Sequence, residues 1–169
     1  EGNILYLNNK SFIGMDPIPY TYGLTCGELA LFINNELFKK NERCDLRVIK
    51  MNNWSRDLKF NETDYPWVPT SPNVPFHETP FYMVATGILG ELGIFSVGVG
   101  YTIPFQVIAA PWIESDILAD KMNELELKGV FFRPINFTPY YSLYKGQSIG
   151  GVQIHIEDFE NVNLFSIQF

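Results

Sequence analysis

The sequence predicts an α+β fold: a single mixed-sheet domain with about three helices and long ordered loops. Apolar residues make up 46% of the 169-residue chain and aromatic residues 15%, enough to bury a core and too many for disorder. Helix-like and strand-like patterns alternate without internal repeats. Residues 52–76 form a proline-containing loop whose length is uncommon unless the loop is functional. We therefore expect one domain over residues 1–169.

The first part of the chain contains one helix, which we expect between two short strands. Thr25 and Glu28 have capping-box spacing, so each side chain can accept a hydrogen bond from the backbone amide of the other. Apolar residues at helical spacing follow as far as Phe38. Residues 4–7 have the pattern of a short strand. Residues 46–51 alternate apolar and basic side chains, which is typical of a half-buried strand.

The second part of the chain contains the other two helices. One is predicted over residues 79–89, and a glycine-rich turn follows at residues 90–100. The next helix should begin at Ser115, whose hydroxyl can cap it, and end near Glu124. Strands are predicted at residues 129–133 and 151–156.

Composition and charge exclude several functions. The formal net charge is −7, and the 12 Lys and Arg residues form no basic patch, which excludes a nucleic-acid partner. No apolar run approaches the ~20 residues that cross a bilayer, so we expect no membrane span. The segment Glu1-Gly2-Asn3 lacks the features of a signal peptide. The sequence alone leaves the localisation unknown.

The cysteines and histidines indicate neither a disulfide framework nor a metal site. Cys26 and Cys44 are too few for a framework, and we expect both to be buried or half-buried thiols. His77 and His155 have no third ligand at a suitable spacing. We therefore expect no metal and no cofactor.

Two segments could bind a polar ligand. Trp54 followed by Arg56 can offer a flat apolar face beside a charged donor, which suits a sugar ring with a carboxylate. A core-edge Trp with a solvated Arg explains the same spacing. Further on, four prolines within ten residues would display Ser71 and Asn73 in a set geometry. A merely rigid surface loop explains that composition equally well.

The glycine-rich turn and its acid are the third candidate region. Gly98 and Gly100 suit a close approach of the backbone to a ligand or to a neighbouring chain. Acid–base hydrolysis of a glycoside needs paired carboxylates, one of them with a pKa raised by burial. Glu28 already has a capping role, and Glu78 and Glu91 are also explained as helix-end charges. Among these, Glu91 is the best local candidate for a catalytic acid.

Several segments, taken in order, resemble one family, the exo-β-N-acetylmuramidases that remove N-acetylmuramic acid from peptidoglycan fragments. The resemblance spans nearly the whole chain, and the Gly-Glu-Leu-Ala and Ser-Pro-Asn blocks are its most specific parts. The matching residues lie in segments 1–2, 11–14, 18–20, 23–30, 48–56, 66–75, 101–105, 110–113, 129–134 and 150–155.

The resemblance implies a substrate-binding role. Family members are about twice as long, with a Rossmann-like domain ahead of this region and the principal catalytic glutamate in that portion. The chain would then be the carboxy-terminal half and supply walls of a sugar cleft. Its substrate would be a peptidoglycan-derived sugar and its partner the amino-terminal domain of the same protein. The family suggests the cell envelope or a secreted location.

The chain departs from the family pattern at three positions. Tyr22 stands where the family has a His, and Val97 and Val99 stand where it has a Glu and an Arg. Losing the Arg removes a bidentate binder for the lactyl carboxylate of muramic acid. Three functions stay open. The chain is part of a glycosidase with altered specificity, inactive alone; a non-catalytic domain that binds a glycan or a protein; or a structural domain whose cleft is vestigial. In the first, Tyr22, Trp54 and Asn73 would contact the sugar.

Overall fold

The computed structural model of the chain describes residues 2–12 and 14–168. Two compact units make up the chain, Glu1–Thr63 and Asp64–Phe169, which we refer to as unit 1 and unit 2. The described residues contain three α-helices and a three-stranded sheet, which confirms the α+β class. Glu1 and Ile13, which fall in segments that carry the resemblance, lie outside the described residues, as does Phe169.

Unit 1 is organised around its helix, α1, at Cys26–Phe32. The predicted capping box is confirmed: the amide of Thr25 donates to Glu28 Oε2 over 2.8 Å, and the amide of Glu28 donates to Thr25 Oγ1 over 3.2 Å. The helix continues as a π-helical segment, Ile33–Leu37. Within it, the buried side chain of Asn34 exchanges two 3.0 Å hydrogen bonds with the backbone of Cys44. A short polar clamp therefore ties the following loop to the helix.

Two strands predicted in unit 1 are wrong. In residues 4–7, Ile4 makes an isolated antiparallel bridge with Pro19, and a 3-10 turn follows at Leu7–Asn9. Residues 46–51 form no regular secondary structure and pair with no strand in the described part of the chain. Alternation of side chains shows that a segment suits a sheet, but ladder hydrogen bonds require a partner that local sequence does not supply.

Unit 2 contains the sheet. Strands β1 (Val107–Ala110), β2 (Val130–Phe137) and β3 (Ile149–Ile156) lie in the order β1-β3-β2. Both pairings are antiparallel, so the sheet is not mixed as predicted. The central strand is buried along most of its length. Because the sequence neighbours β2 and β3 pair antiparallel, the loop between them joins adjacent strand ends.

The sheet is packed against helices α2 (Thr79–Glu91) and α3 (Ser115–Asn123). One core cluster includes Ala85 from α2, Ala119 from α3 and Phe132, Val152 and Ile154 from the sheet, all between 0% and 2% exposed. A second, smaller cluster centres on Val107, Ala109, Phe137 and Ile149. These two clusters supply the hydrophobic stabilisation of unit 2.

Ser115 has a different role from the predicted helix cap. Glu114 occupies the cap position, and no side chain makes a capping hydrogen bond there. The Ser115 hydroxyl is buried and donates to the carbonyl of Ile135 over 2.9 Å, while the amide of Gly151 donates to it over 3.1 Å. The hydroxyl therefore links α3 to β2 and β3.

The prediction of buried or half-buried thiols is also wrong, since Cys26 and Cys44 are both exposed. Cys26 is the first residue of α1. Cys44 is held through its backbone by Asn34, and its Sγ lies 3.4 Å from Asn34 Oδ1.

Candidate functional site

In unit 1, Arg56 is the centre of a cluster of predicted site residues. Its Nη2 lies 2.7 Å from Glu28 Oε1, and its Nη1 donates to the carbonyl oxygen of Gly23. Its guanidinium carbon lies 5.3 Å from the centroid of the Trp54 ring, within the range of a cation–π contact. The capping box, the arginine and the indole therefore form one connected group, which we call the Arg56 cluster.

The charge of Glu28 is stabilised within this cluster. The backbone hydrogen bond from Thr25, and then the hydrogen bond from Arg56, lower the pKa of Glu28 below its usual value. A carboxyl group in this state accepts hydrogen bonds but does not serve as a general acid near neutral pH. Its capping role is confirmed, and a further role as anchor for Arg56 is added.

Trp54 remains accessible beside the arginine, with 38% of its surface exposed. The guanidinium occupies one position over the ring, and two of its nitrogens already have acceptors within the protein. Arg56 therefore lies over the indole and has its remaining N–H groups available for a ligand. This arrangement can combine stacking on an aromatic face with hydrogen bonds to an anionic or polar group.

Tyr22 lies next to the Arg56 cluster along the chain, because the following residue, Gly23, accepts the hydrogen bond from Arg56. Tyr22 is 42% exposed and lines a cavity of about 620 Å³ within unit 1. The cavity wall is mostly apolar and includes Tyr20, Leu29 and Ile33, with Asp16 as a charged member. Its volume is in the range of small-molecule pockets.

In unit 2, the proline-containing loop forms a turn that presents Asn73. The amide of Val74 donates to the carbonyl of Ser71 over 3.0 Å, which closes residues 71–74 into a turn. Trp67 Nε1 donates to the carbonyl of Val74 over 3.3 Å, and Val74 is buried. Ser71 is exposed and Asn73 half-buried, so the two predicted ligand contacts lie at the surface of an anchored turn.

Asn73 and Gly100 are connected through Tyr141. The Tyr141 hydroxyl donates to Asn73 Oδ1 over 3.0 Å. Gly100 has φ +95, and a Cβ at that position would collide with the carbonyl oxygen of Tyr141. The amide of Tyr140 donates to the carbonyl of Gly100 over 2.7 Å. Three segments that are distant in sequence therefore meet at one place, which we call the Asn73–Tyr141 site.

Gly98 and Gly100 serve close packing within the chain itself. Gly98 has φ +83, and a Cβ there would collide with the carbonyl oxygen of Ile103. The missing side chain thus makes room for backbone of unit 2, where the sequence suggested a ligand or a neighbouring chain. Val97 is also buried, and its Cγ2 lies 3.0 Å from the position that a Cβ on Gly90 of α2 would take.

Glu91 is the last residue of α2 and is exposed. The described residues provide its carboxylate with no hydrogen bond or ion pair. The position is exposed and lacks the apolar surroundings that are typical of a general acid in a glycosidase. The helix-end charge that the sequence also allowed accounts for this placement.

Three further aromatic residues in this region, Tyr101, Tyr140 and Tyr141, were not predicted from the sequence as site residues. The Tyr101 and Tyr140 rings are stacked, with centroids 6.2 Å apart, and Tyr140 is 72% exposed. A signal was present: two consecutive tyrosines follow Pro139 directly after a strand, and exposed aromatic pairs in loops often mark binding surfaces.

No group of three or more potential metal ligands occurs within residues 2–12 and 14–168. Over the same residues, the structure contains no helix with the length and apolarity that crossing a bilayer requires. The geometry therefore describes two polar and aromatic clusters, one in each unit.

Comparison with protein families identifies the relationship. Residues 81–169 match the family model described as exo-β-N-acetylmuramidase NamZ, C-terminal, and residues 1–78 match the corresponding N-terminal model. These matches relate the chain to glycoside hydrolases. The chain belongs to the NamZ exo-β-N-acetylmuramidase family. Both family models are therefore represented in this chain.

Individual proteins agree with the family match. The chain is 42% identical over 158 residues to the peptidoglycan β-N-acetylmuramidase NamZ of Bacillus subtilis (strain 168), covering 94% of this chain and 37% of that protein. It is also similar to the crystal structure of a DUF1343 family protein from Bacteroides fragilis NCTC 9343. That similarity has a TM-score of 0.92 and 48% sequence identity, covering 99% of this chain and 44% of the other. The chain thus spans less than half the length of either protein.

Proposed function

We propose that this chain forms the substrate-binding part of a peptidoglycan-processing glycoside hydrolase, that it is inactive alone, and that its sugar specificity differs from that of typical family members. The observation that carries the proposal is the Arg56 cluster, in a chain whose Bacillus subtilis relative is named a peptidoglycan β-N-acetylmuramidase. A fixed indole beside a guanidinium suits a pyranose ring that carries a carboxylate.

The geometry explains how such a surface would bind. Glu28 and Gly23 hold the arginine, and the arginine holds the ring, so little side-chain entropy remains to be lost when a sugar stacks on Trp54. The ligand would then meet a preformed surface. The Arg56 N–H groups that have no acceptor in the protein can donate to ligand oxygens.

Two observations support inactivity of this chain alone. The lowered pKa of Glu28 and its ion pair with Arg56 suit a permanent anion. Glu91 is exposed at the end of α2, outside the apolar surroundings that are typical of a general acid in a glycosidase. We therefore assign the principal catalytic carboxylate to the remaining part of a family-length protein.

We further propose that unit 1 contacts this remaining part. Several of its apolar side chains are largely exposed, among them Phe12 at 95%, Ile49 at 78% and Tyr6 at 74%. Large exposed apolar surfaces mark interaction sites. In a family-length protein, the rest of the amino-terminal domain would be the partner that covers these exposed side chains.

A non-catalytic domain that binds a glycan or a protein is the second candidate function. Val97 favours it, because a valine replaces a family charge and packs in the interior against α2. A charged side chain at this buried position would lose its hydration. Such a domain would bind ligand and contribute nothing to hydrolysis.

Substitution of Trp54 tests the proposed surface. We expect Trp54→Ala to weaken saturable binding of soluble peptidoglycan fragments roughly tenfold, because the stacking face is removed. Isothermal titration calorimetry on the 169-residue chain measures the effect. Trp54 is 38% exposed, so the variant should keep the melting temperature of the parent within a few degrees.

Trp112→Ala is the matched control, since Trp112 is also an exposed tryptophan, at 61%, and belongs to unit 2, whereas the Arg56 cluster belongs to unit 1. Its binding should change less than twofold. Equal weakening by both substitutions would show unspecific adsorption to exposed indoles and would contradict the proposed surface.

A further inference from the structure

We propose that Tyr141 is a positioning residue that fixes the side-chain amide of Asn73 as a hydrogen-bond donor for the N-acetyl carbonyl of an amino sugar. The proposal rests on the proposed function, because it names a chemical group of the same ligand class. It assigns the Asn73–Tyr141 site the task of distinguishing N-acetylated sugars from those with a free amino group.

Asn73 uses its amide oxygen for the contact with Tyr141, which leaves its NH2 group for a ligand. An asparagine side chain has one acceptor oxygen and one donor NH2 group. The oxygen accepts from the Tyr141 hydroxyl over 3.0 Å. The NH2 group makes no hydrogen bond to any described residue, and Asn73 is half-buried. A ligand at this position therefore meets a donor and must bring an acceptor.

Tyr141 is itself held by backbone contacts. Gly100 adopts φ +95 and leaves space that the Tyr141 carbonyl occupies. The neighbouring amide of Tyr140 donates to the Gly100 carbonyl over 2.7 Å. These contacts fix the tyrosine backbone on one side of the site, and the turn closed by Ser71 and Val74 fixes Asn73 on the other. The donor is thus preorganised before a ligand arrives.

The surroundings favour an acetamido group over other acceptors. The ring of Tyr140, the neighbour of Tyr141 in sequence, is exposed and stacks on Tyr101 with centroids 6.2 Å apart, so this segment offers an apolar face to a ligand. An acetamido group combines a carbonyl acceptor with a methyl group, so it matches both features. A carboxylate would match the donor but would approach a chain with net charge −7 and gain nothing from the ring.

Paired ligands and paired variants test the proposal on the whole 169-residue chain. The probes are a peptidoglycan disaccharide of two N-acetylated sugars and its de-N-acetylated counterpart, with binding measured by calorimetry. The parent should prefer the acetylated disaccharide. Asn73→Asp keeps an acceptor for Tyr141 and replaces the outward donor with a carboxylate oxygen, so the preference should fall about tenfold or more.

Tyr141→Phe keeps the ring and removes the hydroxyl, so the amide of Asn73 is free to rotate, and the preference should fall about threefold to tenfold. Tyr144→Phe is the matched control: its hydroxyl donates to the carbonyl of Ile94 over 2.9 Å in the same loop region and does not contact Asn73. Its preference should equal that of the parent. The ratio of the two affinities is the readout, because a merely structural loss would weaken both ligands alike.

The outcomes separate this inference from the proposed function. If the parent binds neither disaccharide, the proposed function and this inference are both overturned. If the parent binds but both variants keep its preference, the inference alone is overturned. Should Tyr141→Phe unfold, Asn73→Asp decides the matter, since it retains the hydrogen bond from Tyr141.

Discussion

At the scale of single residues, the main feature is that one glutamate performs two tasks. Glu28 Oε2 accepts from the Thr25 amide over 2.8 Å and Oε1 pairs with Arg56 over 2.7 Å. The first contact begins α1, and the second fixes the arginine that lies over Trp54. The local helix signal and the proposed ligand surface therefore depend on the same carboxylate.

Removing the charge of Glu28 should lower stability only where the carboxylate is ionised. Glutamine still suits a capping box, so Glu28→Gln removes mainly the ion pair with Arg56. The pKa of Glu28 in the folded chain lies below the usual 4.5. Its stabilisation is therefore fully present above about pH 4.5 and is lost as the pH falls through the lowered value. We expect a small decrease in melting temperature at pH 7 that disappears in strong acid.

Thermal unfolding followed by circular dichroism from pH 7 to pH 2 measures this dependence. Glu36→Gln is the control, because Glu36 lies in the next helical segment, Ile33–Leu37, and is exposed. The difference in melting temperature between Glu36→Gln and the parent should not change with pH in the way expected for Glu28→Gln. If Glu28→Gln still melts below the parent by the same amount at pH 2, the charge of Glu28 is not the source of the stabilisation.

At the scale of elements, the connection between α2 and β1 positions the Asn73–Tyr141 site. Ser96 and Ala109 form an antiparallel bridge through hydrogen bonds of 2.8 and 2.9 Å. The amide of Phe105 donates to the carbonyl of Val97 over 2.6 Å, which closes the turn around Gly98 and Gly100. The glycines therefore shape a tight connection, and this connection in turn supports Tyr141.

Gly100→Ala should destabilise unit 2 by about 2 kcal/mol or more, because the substitution combines an unfavourable φ with a collision against the Tyr141 carbonyl. Gly93→Ala is a close control: Gly93 also has a positive φ, +69, but a Cβ there meets nothing within 4 Å. Gly93→Ala should lower the free energy of unfolding by only about 1 kcal/mol. Urea unfolding of the parent and both variants gives the difference.

Equal destabilisation by the two alanines would show that backbone conformation alone governs this turn. A larger loss for Gly100→Ala, accompanied by a reduced preference for the N-acetylated disaccharide, would agree with the role of Gly100 in placing Tyr141. The preference of Gly93→Ala should stay that of the parent.

At the scale of the whole molecule, binding and hydrolysis are expected to separate. The chain spans 37% of the Bacillus subtilis relative and matches both NamZ family models. Hydrolysis of a glycoside needs two carboxyl groups at a defined separation. The described residues instead present Glu28 paired with Arg56, and Glu91 exposed at the end of α2.

The 169-residue chain should therefore release no N-acetylmuramic acid from a chromogenic β-glycoside, and Glu91→Gln should change nothing. A chimera in which this chain replaces the matched 158-residue region of the Bacillus subtilis relative should hydrolyse an amino-sugar glycoside. Turnover by the chain alone that Glu91→Gln abolishes would contradict the proposed division of labour. A folded chimera that binds fragments without turnover would favour the non-catalytic function.

The sequence by itself determined the α+β class, the three helices, the capping box and the family relationship. Helices and caps depend on neighbours within a few residues, so Thr25 and Glu28 carry their own signal. The tertiary structure decided the strand pairing. Residues 46–51 alternate apolar and basic side chains but pair with no strand in the described part of the chain. Strand β1 shows no such alternation, because all four of its residues are buried, and it pairs with β3. It also decided the hydrogen bond between Tyr141 and Asn73, which lie 68 positions apart in the sequence. Such contacts depend on where distant segments meet, and no local pattern contains that information.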